Sequence, residues 1–205
     1  MTLSVKKALQ QRTAIRLFDA TKTLDDKQIV DLVHLATLAP SAFNLQNWHF
    51  LAVKSTEAKQ RLHACAYKQQ RILDAAVTFI VCGEMEPHKK FDRVAQSLVE
   101  RGGISAEAAA AWHNKVVSFL ENNTVAQHAE AFRSASLAAM ALMLAAEEQG
   151  LATGPMSGFD ANAIRATFDL PETRIPVMLV SVGYAAEGNT PQNVRLHVEH
   201  VLDIL

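Results

Sequence analysis

The sequence predicts an α+β fold in which helices outnumber strands. Three observations carry that expectation. Val77–Cys82 is a nearly continuous apolar run of strand length, Ile175–Val182 is a second one closed by Gly183, and helix-periodic or Ala-rich segments occupy most of the remaining chain. No tandem repeat or low-complexity linker interrupts the 205 residues, a length that one core can serve, so residues 1–205 are expected to form a single domain.

Taken in order, Thr2–Gln11 predicts a short amphipathic helix ending at a basic cluster. A second helix is expected to begin near Thr23, whose hydroxyl stands in capping-box spacing with Asp26, and to place Ile29, Leu32, Val33 and Ala36 on one face until Pro40 stops it. Trp48–Lys54 alternates and is β-rich, which makes it a strand, and the unbroken apolarity of Val77–Cys82 makes that strand a central one. Pro87–Arg101 and Ser105–Glu121 predict two exposed helices hinged at Gly102-Gly103, with Trp112 anchoring the second. From Ala126 to Gln149 runs a long helix that becomes apolar on every side through Leu137–Ala146, which predicts burial, and its many alanines suit a central helix at a subunit interface. Gly150 ends it and a short helix follows near Asp160–Phe168. The last segment, Arg195–Leu205, is expected as a strand or as an arm reaching another subunit.

Composition narrows the function. The formal net charge is −1, so no overall positive field exists to hold a nucleic acid. Hydrophobic residues make up 49% of the chain against 20% charged, an apolar surplus that points to burial between subunits. The most apolar stretch, Leu137–Ala146, is about half of the roughly 20 residues a membrane span needs, and the N-terminus lacks the continuous apolar run of a signal peptide. Two distant cysteines, Cys65 and Cys82, form neither a metal knuckle nor a redox pair, so a soluble protein of the reducing cytoplasm is expected. The eight histidines show no metal-binding repeat; only His197 and His200 are close, and no metal is expected.

Three loops offer chemistry. Arg12-Thr13-Ala14-Ile15-Arg16 places two guanidinium groups four residues apart with a hydroxyl between them, a set able to grip a phosphomonoester and equally the composition of a solvated basic turn. Ala39–Trp48 is a helix stop followed by Ser, Asn and Gln, donors and acceptors suited to a heteroaromatic edge or simply to loop capping. Thr153–Asp160 carries glycines at 154 and 158 that allow close backbone approach by a ligand or merely a plain turn.

Together with YKQQRILDAA and VSVGYAAE, the segments RTAIRLF, APSAFNLQNW and GLATGPMSGFD resemble the nitroreductase family of FMN enzymes, in order and over about residues 10 to 200. The resemblance implies a three-layer α-β-α sandwich around a mostly antiparallel sheet, assembled as an intertwined homodimer. It implies bound FMN, with NADH or NADPH as transient donor. Arg12, Thr13, Ala14 and Arg16 match the phosphate-binding segment, and Arg195 the basic residue that closes on the same phosphate. Pro40, Ser41, Ala42 and Asn44 match the loop given to the flavin of the partner subunit. Lys68 and Arg71 fall beside the pyrimidine edge, and Pro155, Met156, Ser157 and Gly158 match the loop whose N–H groups meet the ring near N5.

There are departures: Ala14 stands where serine is usual, Asn47 replaces a proline, Ser157 stands where some members carry glutamate, and Asn193 where lysine is common. What the resemblance implies is ping-pong hydride transfer from NAD(P)H through the flavin to a nitroaromatic, quinone or similar small acceptor, with no protein nucleophile and Arg71 as possible electrostatic support. Phe119, Trp112 and Phe132, in and beside the variable helical region, stand as acceptor-pocket or core residues. A flavin dehydrogenase of a small metabolite and a non-catalytic flavin store are the alternatives.

Overall fold

The computed structural model describes residues 4–205, so the expected helix start at Thr2 lies outside the described residues. Helix α1 spans Val5–Gln11 and is capped by Ser4, whose hydroxyl accepts the Lys7 N–H at 3.2 Å. Helix α2 spans Asp26–Ala36. Its cap is Asp25 and not Thr23: the Asp25 carboxylate accepts the Gln28 N–H at 2.7 Å while the Gln28 side chain accepts the Asp25 N–H at 3.0 Å. A carboxylate closer to the first turn displaces the threonine, satisfies two orphan donors and sets a negative charge at the positive helix end. Leu24, just before the cap, shares one apolar cluster with Ile29, which fixes the entry of the chain.

Strands β1 (Trp48–Val53), β2 (Val77–Glu84), β3 (Ala152–Met156) and β4 (Arg174–Gly183) form one sheet in the order β1-β2-β4-β3, antiparallel throughout. Strand β2 is interior as expected, and its alternation explains its unbroken apolarity. Val77, Phe79 and Val81 face one cluster, with α2 and the long helix, while Ile80 and Cys82 face the other. The second layer is built from α3 (Thr56–Cys65), the single turn α4 (Arg71–Asp74) and α8 (Ala161–Thr167), through Leu62, Ile72 and Ile164. Both faces of the sheet are therefore covered, the condition under which strands lose polar alternation. Pro176 sits where the β2–β4 register shifts and beyond the last β3 pair, positions at which a strand tolerates a missing N–H.

The expected helix over Pro87–Arg101 divides into a 3₁₀ turn, Pro87–Lys90, and α5, Phe91–Glu100; α6 spans Ala106–Leu120. Gly102 takes the left-handed φ of +68° that reverses the chain between them. The pair is less exposed than expected, because Phe91, Val116 and Leu120 are buried in a cluster of their own and Trp112 meets Phe91 edge-on at 5.1 Å. Helix α7 spans Thr124–Glu148. It is long and apolar enough to cross a membrane, yet its Ala135, Ala139, Leu142 and Ala146 are the floor of the core beneath β2 and β4. It is not buried all round: Val125, Phe132 and Leu137 leave an apolar stripe exposed in the single chain. Arg195–Leu205 forms no strand; it is exposed, with one 3₁₀ turn at Val198–His200, and no other strand of this chain lies beside it to supply a ladder.

Phe79 is, with Phe91, the largest fully buried side chain among the described residues, and it shares one cluster with α2 and α7. Phe79→Ala is expected to lower unfolding free energy by about 3–5 kcal/mol in urea titration, against less than about 0.5 kcal/mol for a surface change such as Lys27→Ala.

Candidate functional site

Segment 12–18 crosses the open edge of β3. Ala14 makes a parallel bridge to Thr153, and the Ile15 N–H donates to the Thr153 carbonyl at 2.9 Å. Ile15 and Phe18 are buried with Ala75, while Ala14, Arg16 and Leu17 are exposed. A Cβ on Gly154 would lie 2.5 Å from the Ile15 carbonyl oxygen. The glycine that the sequence offered to a ligand is thus used by the protein's own backbone. This is also why residues 152–156, rich in Thr, Gly and Pro, form a strand and not a turn: pairing on both sides outweighs poor β propensity.

Two amides complete the clamp, and nothing in the sequence had marked them. The Asn189 carbonyl oxygen accepts the N–H groups of Arg16 and Leu17 at 2.9 and 3.0 Å, and its Nδ2 donates to the carbonyls of Leu17 and Ala186 at 2.8 and 2.9 Å. Gln192 donates to the Arg12 carbonyl at 2.8 Å. Long-range amide clamps of this kind carry no local pattern; only the Gly188-Asn189 turn chemistry was visible.

Arg71, first residue of α4, is half-buried with its Cδ beside Gly154, 3.5 Å from where a Cβ would stand. Burial lowers the pKa of its guanidinium, and the positive charge of Arg16 lowers it further. The two guanidinium groups are thus near enough for the charge of one to be felt by the other, and among the described residues neither forms an ion pair with a carboxylate. Cations left this way favour an anion nearby. Arg12 has its Nε buried without a hydrogen-bond partner, and its charge opposes the burial that raises the Glu147 pKa. Arg195 donates to the carbonyls of Asn193 and Val194 at 2.6 and 3.4 Å, turned onto its own exposed backbone. Among the described residues, no hydrogen bond links Arg12, Arg16 and Arg195 to one another, and Arg16 is the one whose charge is felt at Arg71.

Pro155 and Met156 end β3, and Ser157 and Gly158 follow, exposed. Gln69 donates to the Gly158 carbonyl at 2.8 Å, tying the turn that carries Lys68 to this loop. The Pro40–Asn44 loop is anchored elsewhere: Leu45 is buried against α5 and α6, Phe43 meets Phe119 at 5.8 Å, and the Ser41 hydroxyl accepts the Gln46 N–H at 2.9 Å. No hydrogen bond among the described residues joins it to the Arg16–Arg71 group. Backbone strain is concentrated here, since of eight non-glycine residues with positive φ, five are Phe43, Asn44, Gln46, Tyr67 and Lys68. Such conformations cost about 1–3 kcal/mol each and gather at functional sites.

The sequence profile of the nitroreductase family matches residues 9–184. The chain belongs to the nitroreductase family. The match includes every site segment named above except Arg195, Asn189 and Gln192. Among curated nitroreductase relatives, the YodC protein of Bacillus subtilis (strain 168), named for NAD(P)H nitroreductase activity, is 33% identical over 186 residues, covering 91% of this chain and 90% of its own. A CLA biosynthesis enone reductase of Lactiplantibacillus plantarum is 28% identical over 180 residues, covering 86% and 83%. A nitroreductase-fold protein of Exiguobacterium sibiricum 255-15, solved in complex with FMN, superposes with a TM-score of 0.92 at 27% identity, over 98% of this chain and 97% of that one. Its architecture, helices around an antiparallel sheet, is the one described here. The family places this chain among oxidoreductases.

Gly154→Ala is expected to cost about 1–3 kcal/mol through forced separation of Ile15 from β3; an unchanged thermal midpoint would show that the approach relaxes freely. Arg71→Gln in the ligand-free protein should leave the urea midpoint at low salt unchanged or raised, because the change removes a repulsion and breaks no ion pair. A clear loss of stability there would reveal a carboxylate partner for Arg71.

Proposed function

We propose that this nitroreductase-family chain binds FMN and passes a hydride from NADH or NADPH to a nitroaromatic, quinone or similar acceptor by a ping-pong mechanism, as a homodimer with one such domain per subunit. The observation that carries the reading is the half-buried Arg71, packed beside Gly154 of the strand that leads to Pro155–Gly158, with the charge of Arg16 acting on it and no carboxylate paired to either among the described residues. The residues fit the cofactor. Bound flavin supplies the two-electron chemistry, accepting hydride at N5 and yielding it to an acceptor over the same face.

The chain's own residues do the rest. Arg71 and Arg16, with Lys68 near, set positive charge where the pyrimidine edge turns negative on reduction. This gives Arg16 a place at the ring edge, and leaves Arg12, with its unpartnered Nε, and Arg195 to reach the phosphate. Thr13 offers the hydroxyl that Ala14 lacks. Main-chain N–H groups of Met156, Ser157 and Gly158 are placed for the ring near N5.

Dimerisation is supported by three features of the single chain. The stripe Val125, Phe132, Leu137 on α7 is exposed and apolar, as are Leu196, Val198, Val201, Leu202 and Ile204 in the terminal arm. Strand β1 has an unpaired outer edge, which an arm from a second copy can cover. The Pro40–Asn44 loop, distant in its hydrogen bonding from Arg16 and Arg71, is available to close the site of the partner. Exclusion of water and completion of the ring face then depend on both subunits.

Purified protein loaded with FMN should be yellow, bleach anaerobically with NADH or NADPH, and scatter light as a dimer at low micromolar concentration. A colourless protein contradicts the cofactor, colour that resists both donors marks a flavin store, and a monomer that keeps flavin contradicts the shared site. Arg71→Ala should bind FMN more weakly and lower the potential of the bound flavin; an unchanged reduction rate and potential would remove Arg71 from the role.

A further inference from the structure

The turn joining α3 to α4 contains a residue that the reading above leaves without a task. Tyr67 and Lys68 hold left-handed backbone, φ 49° and 54°, a conformation that a bulky side chain rarely adopts. The turn is over-determined: the Lys68 N–H donates to the His63 carbonyl at 3.1 Å, the Gln69 N–H to the Ala66 carbonyl at 3.2 Å, and the Gln69 side chain to the Gly158 carbonyl. Ala66 beside it is fully buried and pins the turn to the core. Glycine would relieve the backbone, yet an aromatic residue stands there, 71% exposed and so contributing little to the core. Its ring lies against the flavin-side loop, for a Cβ on Gly158 would meet Tyr67 Cδ2 at 3.8 Å. A strained backbone that presents an exposed phenol beside the loop assigned to N5 points to use of the hydroxyl.

We propose that Tyr67 donates the proton which completes reduction of a carbonyl-type acceptor such as a quinone; this rests on the flavin reading of Pro155–Gly158. The balance is simple. A quinone that has received hydride, two electrons and one proton, needs one further proton on its second carbonyl oxygen. The Tyr67 O–H bond breaks as that O–H bond forms, and the phenolate recovers a proton from water, to which its exposure gives direct access. Over the cycle, quinone, NAD(P)H and one proton become hydroquinone and NAD(P)⁺. A positioned acid of this kind accelerates transfer on the order of 10²-fold or more.

The test compares FMN-loaded wild type, Tyr67→Phe and Tyr67→Ala in anaerobic stopped flow, reoxidising the reduced protein with benzoquinone or with ferricyanide, a one-electron acceptor that takes no proton. Tyr67→Phe should slow the benzoquinone step at least tenfold relative to the ferricyanide step. Binding of acetophenone to the oxidised protein, followed by its effect on the flavin spectrum, should weaken about fivefold in Tyr67→Phe as the carbonyl loses a hydrogen bond. Equal rates with both acceptors in Tyr67→Phe overturn the proposal, as does a defect confined to Tyr67→Ala, which would make the ring a stacking surface alone. Protein that binds no FMN overturns the flavin reading and this proposal with it, so the two failures are distinct.

Discussion

The site depends on one close approach. Segment 12–18 lies against β3 so tightly that only glycine fits at 154, and the hydrogen bond from Ile15 to Thr153 locks that contact. In the extended segment Ile15 points into the core and its neighbour Arg16 therefore points out. The stem of Arg71 packs beside the same glycine, 3.5 Å from where a Cβ would stand. The backbone contact thus brings the segment carrying Arg16 to the strand against which Arg71 lies, and the charge of one is felt at the other.

The sheet makes this possible. Strands β2 and β4 are covered on both faces, by α2 and α7 on one side and by α3, α4 and α8 on the other, and that rigid centre carries the turns at 66–70 and 157–160 at fixed positions. Around it, strain is confined to loops. Tyr67 and Lys68 are held by hydrogen bonds at both ends of their turn, whereas Phe43, Asn44 and Gln46 are held by the α5–α6 cluster. The two strained loops are therefore anchored to different parts of the chain, one to the α5–α6 cluster and the other to α3 and the 157–160 turn.

The parts legible in the sequence were those with strong period or punctuation: β1, β2, β4, α7 and α8, and the Gly102-Gly103 reversal. Local signals failed where tertiary partners decide. Helix α3 is mostly polar, with Leu62 and Cys65 its only buried residues, and offered no clear stripe. Strand β3 has turn composition and is a strand only because it is paired on both sides. The clamp of Asn189 onto Arg16, 173 positions away, has no signature in a single sequence. Among the candidate site residues, the family motifs named Arg16 and Arg71, but the burial of Arg71 beside Gly154, where the charge of Arg16 reaches it, is a property of the fold.

A crystal structure of the protein grown with FMN tests the central claim most directly. The account predicts that Arg16 and Arg71 of one subunit lie within hydrogen-bonding distance of the same ring edge, under the Pro40–Asn44 loop of the other. Flavin density elsewhere, or guanidinium groups directed away from the ring, would contradict it.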